Sequence, residues 1–295
     1  MAEIVQHFID ALSLGSTYAM LGLGLTLVFS VMNLINFAYG MLIVYGGYAM
    51  VVVSDAGGSY LLAVLGALVC VTALSWLMGI VAFRPFRNSP PATLLLSSFG
   101  VGLTLQAIAS AMFGDTAKNV GSPGWLGHSW NLNGVIVNAL QLVTVGVAVG
   151  LLVCLTVVLQ RTTLGLHIRA AAEDADVARL LGVKSSRVLS TVFVISGVIA
   201  AVVAVLWFAK VGSVTPRSDL SPTLKAFIVV VIGGLGTARG AVVGGLILGL
   251  FESFLTAYLP SNLTNYETTG VFLILMVLLI VRPQGVLGRD LELSK

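Results

Sequence analysis

The sequence predicts an all-α polytopic membrane protein with about eight transmembrane helices, one of them short or broken, and a further helix in a water-exposed loop. Three observations predict it. No Asp, Glu, Lys or Arg occurs from Ala11 to Ser54, from Ala56 to Phe83 or from Asn88 to Gly114, whereas a helical crossing needs only about 20 apolar residues. Hydrophobic residues make up 58% of the 295-residue chain, charged ones only 9%, and mean hydropathy is +1.04; soluble domains carry about 25% charged residues. Finally, eight of the 15 Lys and Arg and 12 Asp and Glu residues are gathered between Arg161 and Arg187. The apolar runs do not alternate with polar residues, which excludes a membrane β-barrel. Residues 1–295 therefore read as a single membrane domain interrupted by one charged loop, 161–187.

Charges and helix breakers place spans near 10–32, 36–54, 60–83, 91–113, 135–159 and 189–209, a more complicated region over 223–259, and a last span at 268–281. Before the first span, Glu3 and Asp10 stand where a signal peptide would carry basic residues, so no cleavage is expected. Ser89–Pro90 and Ser221–Pro222 each read as an N-cap followed by proline at the first helical position. Pro85, Pro260 and Pro283 each stop a helix just after an apolar run. Cys70 and Cys154 lie in apolar runs and read as small packing residues. Trp125 and Trp130, in the 114–134 connection, read as membrane-interface anchors, with a docking surface as the alternative.

Lys and Arg then set the orientation. With 84–88, 161–187 and the C-terminal tail on the cytoplasmic side, that side collects Arg84, Arg87, Arg161, Arg169, Arg179, Lys184, Arg187, Arg282, Arg289 and Lys295. The other side keeps Lys118, Lys210, Arg217 and Lys225. This asymmetry puts the N-terminus outside and the C-terminus in the cytoplasm. Three passes between Pro222 and Arg282 then place Arg239 inside, after an apolar segment, Ala226–Ala238, of 13 residues. That length is short for a span and reads as a half-helix or a tilted, broken one.

Enzymatic constellations are missing from the sequence. His7, His128 and His167 have no metal-ligand spacing, no G-x-S-x-G occurs, and no Gly-Lys dipeptide exists from which a P-loop could be built. The net charge of +3 is small and gives no reason to expect a nucleic-acid partner. Three features remain. Asn33-Leu-Ile-Asn36-Phe-Ala-Tyr-Gly40 puts two amides in an uncharged stretch; it reads either as a turn between spans or as polar backbone along a pathway. Gly236, Gly240 and Gly244 recur every fourth residue, and Gly245 and Gly249 repeat the interval, so a helix here would present a flat stripe to another backbone. Glu252 follows within a few residues, facing either a wet cavity or the outer surface. The third feature is Ala170–Gly182, which reads as a short helix. Ala and Leu favour it, its acids precede Arg179 as the macrodipole prefers, and Gly182 supplies a left-handed stop.

Arg161-Thr-Thr-Leu-Gly-Leu-His-Ile-Arg-Ala-Ala-Ala-Glu-Asp-Ala-Asp-Val-Ala-Arg-Leu-Leu-Gly-Val resembles the cytoplasmic loop of bacterial ABC-importer permeases of the branched-chain amino acid class, the LivH type. Asn33–Gly40, Val231–Gly249 and Arg282-Pro-Gln-Gly-Val-Leu-Gly288 are similar to other blocks of that family, in the same order over nearly the whole chain. The resemblance implies a multi-pass subunit of the bacterial inner membrane that pairs with a second, homologous permease, two cytoplasmic ATPases and a periplasmic substrate-binding protein. ATP and Mg would then sit on the ATPases, with no cofactor on this chain. It also implies that the loop helix docks on the ATPase, with Ala170, Glu173, Asp174, Ala178, Arg179 and Gly182 as coupling residues. The loop departs from other importer classes in having Ala-Ala-Ala-Glu-Asp where Glu-Ala-Ala precedes a Gly. Asn33, Asn36, Gly40 and Glu252 are candidates for the translocation path, and Gly236, Gly240, Gly244 and Gly249 for helix packing. The alternative reading is a secondary transporter or channel subunit. The substrate stays open, because urea and amide importers share this permease type.

Overall fold

The computed structural model describes residues 2–86, 89–132 and 134–259, together with Gly270, Gly285 and Val286. The expected span at 268–281, the stops at Pro260 and Pro283 and the C-terminal tail lie outside the described residues. The rest is mainly helical. Among the described residues six helices are long and apolar enough to cross a membrane, and two further apolar helices are shorter.

Helix α1 (Ala2–Met32) starts well before the expected position 10 and carries Glu3 and Asp10 within it. Gln6 stabilises that extra length by donating one turn ahead to Asp10 (3.2 Å). The chain continues through α2 (Tyr39–Asp55), α3 (Tyr60–Met78) with an added π-turn (Gly79–Phe83), and α4 (Pro91–Phe113). The start of α4 differs from expectation: Pro90, in an extended conformation, is the cap, and Pro91 takes the first turn. A proline ring fixes φ near −65° without needing its absent N–H there, so Pro91 begins the helix with no serine cap.

Residues 135–138, expected to open the fifth span, instead form a strand. Strand β3 (Val135–Asn138) pairs antiparallel with β2 (Ser129–Leu132). The alternation Val-Ile-Val before Asn138 suits a strand, and α5 (Ala139–Arg161) begins only where Gln141 accepts a hydrogen bond from the Asn138 N–H (2.9 Å). A second pair, β1 (Lys118–Asn119) with β4 (Ser213–Val214), ties the 114–134 connection to the far end of α8 (Ser185–Val211). Both pairs lie at the pole of the bundle where α1 begins. The opposite pole carries Arg84 and the loop 161–187.

α1 and α8 are the most enclosed spans, whereas α4 and α5 leave most of their apolar surface exposed. The enclosed helices approach closely through small residues. Ser75 of α3 donates to the Phe193 carbonyl of α8 (2.6 Å). At Gly197 an added Cβ would lie 2.6 Å from that of Ser75, and at Gly79 one would lie 2.6 Å from the Phe193 ring. Between helices in lipid, such close packing replaces the hydrophobic drive available in water.

The region after α8 resolves into two helices, α9 (Leu220–Gly233) and α10 (Ala238–Tyr258). α9 has 14 residues, about 21 Å at 1.5 Å per residue, shorter than a typical bilayer core. The expected cap at Ser221 is absent: the helix starts two residues earlier, at Leu220, with Pro222 inside its first turn. Gly234 (φ 97°) and Gly236 (φ 84°) take the left-handed region in the break, and Thr237 caps α10 by accepting from the Gly240 N–H (3.1 Å). Gly236 is thus a turn residue and not part of a helical stripe.

Loop 161–187 also differs from the single helix expected over Ala170–Gly182. It holds α6 (Thr163–Glu173) and α7 (Ala175–Leu180), separated by extended Asp174 (φ −153°, ψ 109°). Asp174 is a poor helix-interior residue because its carboxylate competes for backbone donors. Here it accepts from the Val177 N–H (2.9 Å) and so caps the second helix.

Candidate functional site

Three places combine polar groups, exposed surface or unusual backbone with the residues singled out from sequence. The first lies toward the pole where α1 begins. Glu252 of α10 is buried, and its Oε1 accepts from the Tyr18 hydroxyl of α1 (2.6 Å) and from Lys225 Nζ of α9 (2.6 Å). Lys225 also donates to the Tyr18 oxygen (2.7 Å), with its ammonium 4.8 Å from the centre of the Tyr18 ring. Each member is contributed by a different helix, so the triad joins the short α9 to two longer neighbours. It lines a cavity of about 570 Å³ bounded by α1, α5, α8, α9 and α10. Asp10, held by Gln141 (2.6 Å), and Lys210 also line it.

The sequence singles out Glu252 without naming a partner and places Lys225 on the outer side. The pairing was missed because the two residues stand 27 positions apart on separate helices. The available signal was a lysine heading the apolar segment Ala226–Ile232, since a cation there calls for a counter-charge.

The second place is the 33–40 segment. Asn33 is exposed and ends α1 with φ 50°, an uncommon value outside glycine. Asn36 is buried; its Oδ1 accepts from the Ala38 N–H (3.1 Å), while Nδ2 has no partner among the described residues. Phe37 stacks on Phe99 at 4.4 Å, two helical turns or about 12 Å into α4. It also lies 6.0 Å from Phe227 of α9. The chain therefore turns back into the bundle as irregular backbone, and α2 begins inside it rather than at its end. Gly40 then meets Thr223 and the Asp219 carbonyl so closely that no side chain fits. Non-helical backbone at this depth is tolerated only where protein or a wet cavity surrounds it.

The third is loop 161–187. Ile168, Ala171 and Ala178 are buried against the bundle, Ala170 is half-buried, and Glu173, Asp174, Arg179 and Gly182 are exposed. Gly182 takes φ 87°; its N–H donates to the Arg179 carbonyl (3.0 Å), and the Val183 N–H to that of Ala178 (3.0 Å), closing α7. Around that turn Val177, Leu180 and Leu181 are 50%, 88% and 78% exposed.

The glycines of α10 divide between two neighbours instead of forming one stripe. Gly240 and Gly244 meet α9 at Gly233 and Val229, while Gly245 and Gly249 meet α1 at Ala19 and Gly15. Among the described residues no group of three or more His, Cys, Asp or Glu side chains could hold a metal.

Comparison with known proteins concerns the chain as a whole. A family model described as the branched-chain amino acid transport system permease component matches residues 8–281. The high-affinity branched-chain amino acid transport system permease protein LivH of Escherichia coli is 34% identical over 97% of this chain and 96% of its own length. The corresponding protein BraD of Pseudomonas aeruginosa is 32% identical over the same shares. Among solved structures, PsaBC from Streptococcus pneumoniae in complex with Fab is similar in fold, with a TM-score of 0.50 and 11% identity over 96% of this chain and 93% of that one. Because the family model spans almost all of the sequence and these relatives align over nearly their full lengths, this chain belongs to the family of branched-chain amino acid transport system permease components.

Proposed function

We propose that this chain is a transmembrane permease subunit of an ATP-driven importer of branched-chain amino acids or related small polar solutes, in the bacterial inner membrane. Its N-terminus lies outside and its C-terminus in the cytoplasm, consistent with the Lys and Arg asymmetry. It pairs with a second, homologous permease and with two ATPases that carry ATP and Mg, and a periplasmic binding protein delivers the cargo. The relatives' names support the cargo class.

The observation that carries the reading is the apolar tip of loop 161–187. Two exposed leucines and a valine crown an element whose base is seated in the bundle core through Ile168 and Ala171. Such a tip costs solubility in water unless another protein covers it. A seated base is what a mechanical contact needs in order to pass motion to the spans. Asp174 gives the loop a joint: α6 continues the end of α5, and α7 leads into α8, so displacement of the tip pulls on two spanning helices.

The ATPases drive the cycle from this pole, while cargo enters from the opposite one. The 33–40 segment, Gly40 and the Lys225–Glu252 pair lie along or beside the route between them. The test is co-purification. The full chain co-expressed with the ATPase subunits of a branched-chain amino acid importer from the same genome should retain ATPase through purification, and Leu180→Asp together with Leu181→Asp should release it without loss of membrane insertion. Retention of the ATPase by the doubly altered chain refutes the docking role.

A further inference from the structure

We infer that the cavity bounded by α1, α5, α8, α9 and α10 is a binding site for a small zwitterion with an apolar side chain, its ammonium held by Glu252 and its carboxylate by Lys225. The inference rests on the permease reading, because such a ligand would be cargo pausing on its way in.

The capacity left on the ion pair points to this ligand class. Lysine offers three N–H donors. Lys225 uses one on Glu252 Oε1 and one on the Tyr18 oxygen, and its side chain keeps 19% exposure. A carboxylate accepts on both oxygens. Both donors to Glu252 converge on Oε1, and Oε2 is buried without a partner among the described residues. A buried polar atom without a partner calls for an explanation. Here a cation with a third N–H beyond these two bonds is joined at 2.6 Å, through Nζ and Oε1, to an anion whose second oxygen is buried without a partner among the described residues. An α-amino acid carries the complementary pair on neighbouring atoms, so its carboxylate can take the third Lys225 proton while its ammonium donates to Oε2 once the Glu252 carboxylate turns that oxygen toward the cavity. The four charges then alternate in a ring.

The surroundings agree. Among the described lining residues Asp10 and Glu252 balance Lys210 and Lys225, so these side chains select neither net anions nor net cations. Its volume of about 570 Å³ falls within the range of small-molecule sites. Leu14, Leu140, Leu206 and Trp207 supply an apolar wall for a side chain.

The test uses the full chain with Cys70→Ser, Cys154→Ser and Ala257→Cys, because Ala257 is exposed and lines the cavity without touching the pair. The purified chain in nanodiscs is labelled with a hydrophilic maleimide in the presence of L-leucine, 3-methylbutan-1-amine or 4-methylpentanoate. Leucine should slow labelling saturably, and neither single-charge analogue should do so at the same concentration. Glu252→Gln should raise the half-protecting leucine concentration about tenfold or more, as loss of a charge-assisted contact does. Should that variant not remain monodisperse, the analogue series on the unaltered pair decides alone. Labelling indifferent to leucine, or slowed equally by all three compounds, overturns the site and leaves the ion pair a structural tie. Leucine uptake by the assembled importer, run in parallel, separates the two readings. Uptake without protection refutes the cavity site only; protection without uptake refutes the cargo reading only.

Discussion

Asn33 holds a left-handed backbone at φ 50° with its side chain in the open, so its identity matters through conformation more than contact. A β-branched residue there pays a steric penalty that glycine does not. Asn33→Val should therefore lower stability by about 1–2 kcal/mol while Asn33→Gly stays near neutral, read as the thermal midpoint in detergent. Asn36 acts oppositely, through contact, because its Oδ1 satisfies the Ala38 N–H inside the bundle. Both amides were visible in the sequence as the only amides in a long uncharged stretch. Their division into an exposed conformational residue and a buried capping one was not, because that depends on the chain turning back into the bundle. The Lys225–Glu252 pair shows the same limit more strongly, since neither residue announces the other. Removing one partner of a buried pair leaves an uncompensated charge, at a cost of about 3–5 kcal/mol. Lys225→Met alone should destabilise by that order, and Lys225→Met with Glu252→Gln should recover most of it. Additive losses in the double variant would mean the two side chains do not depend on each other.

Elements were legible wherever one apolar run closes one helix, as in α3, α4 and α8. Legibility failed where the chain changes state inside an apolar run. α2 begins at Tyr39 instead of 36 because residues 34–38 climb through the bundle without α-helical bonds, and hydropathy does not register that. In the loop, composition indicated one helix where Asp174 makes two, since a carboxylate that caps α7 must first break α6. Asp174→Ala should weaken α7 by about 1 kcal/mol through loss of that cap, reported by faster amide exchange at Val177. Ala178→Pro acts more severely. It removes the Ala178 N–H bond to the Asp174 carbonyl (3.0 Å) and places a proline ring where Ala178 is buried, at about 3 kcal/mol or more locally. Membrane insertion should be unchanged while ATPase retention and uptake both fall. On α10 the glycines report on two interfaces. Gly244→Leu should part α10 from α9, and Gly249→Leu should part it from α1. Leu at Gly150, where an added Cβ meets nothing, should be tolerated by the isolated chain, as judged by monodispersity.

At the scale of the molecule, the chain divides its chemistry between two poles. One carries a cavity lined by an ion pair, and the other a two-helix loop with an apolar tip. Between them run α1 and α8, enclosed and closely packed, and the short α9, whose ends lie at a polar turn and a glycine break. The general class was legible because lipid imposes it: long uncharged runs have no other stable place. Which helices touch was not, since helix association in lipid depends on small residues that composition alone does not pair. An importer built this way needs an external source of work, and this sequence has no Gly-Lys dipeptide from which to form a phosphate-binding loop. The purified chain should therefore hydrolyse no ATP above a mock preparation, and activity should appear only on adding the ATPase. That activity should respond to both poles. Leu180→Asp with Leu181→Asp should abolish it by removing the proposed contact with the ATPase. The cavity variant Glu252→Gln should leave the basal rate of the assembled complex measurable but blunt its stimulation by loaded binding protein. Stimulation that survives Glu252→Gln undiminished would mean that the two poles are not coupled through α9 and α10, and that the ion pair only fastens helices together.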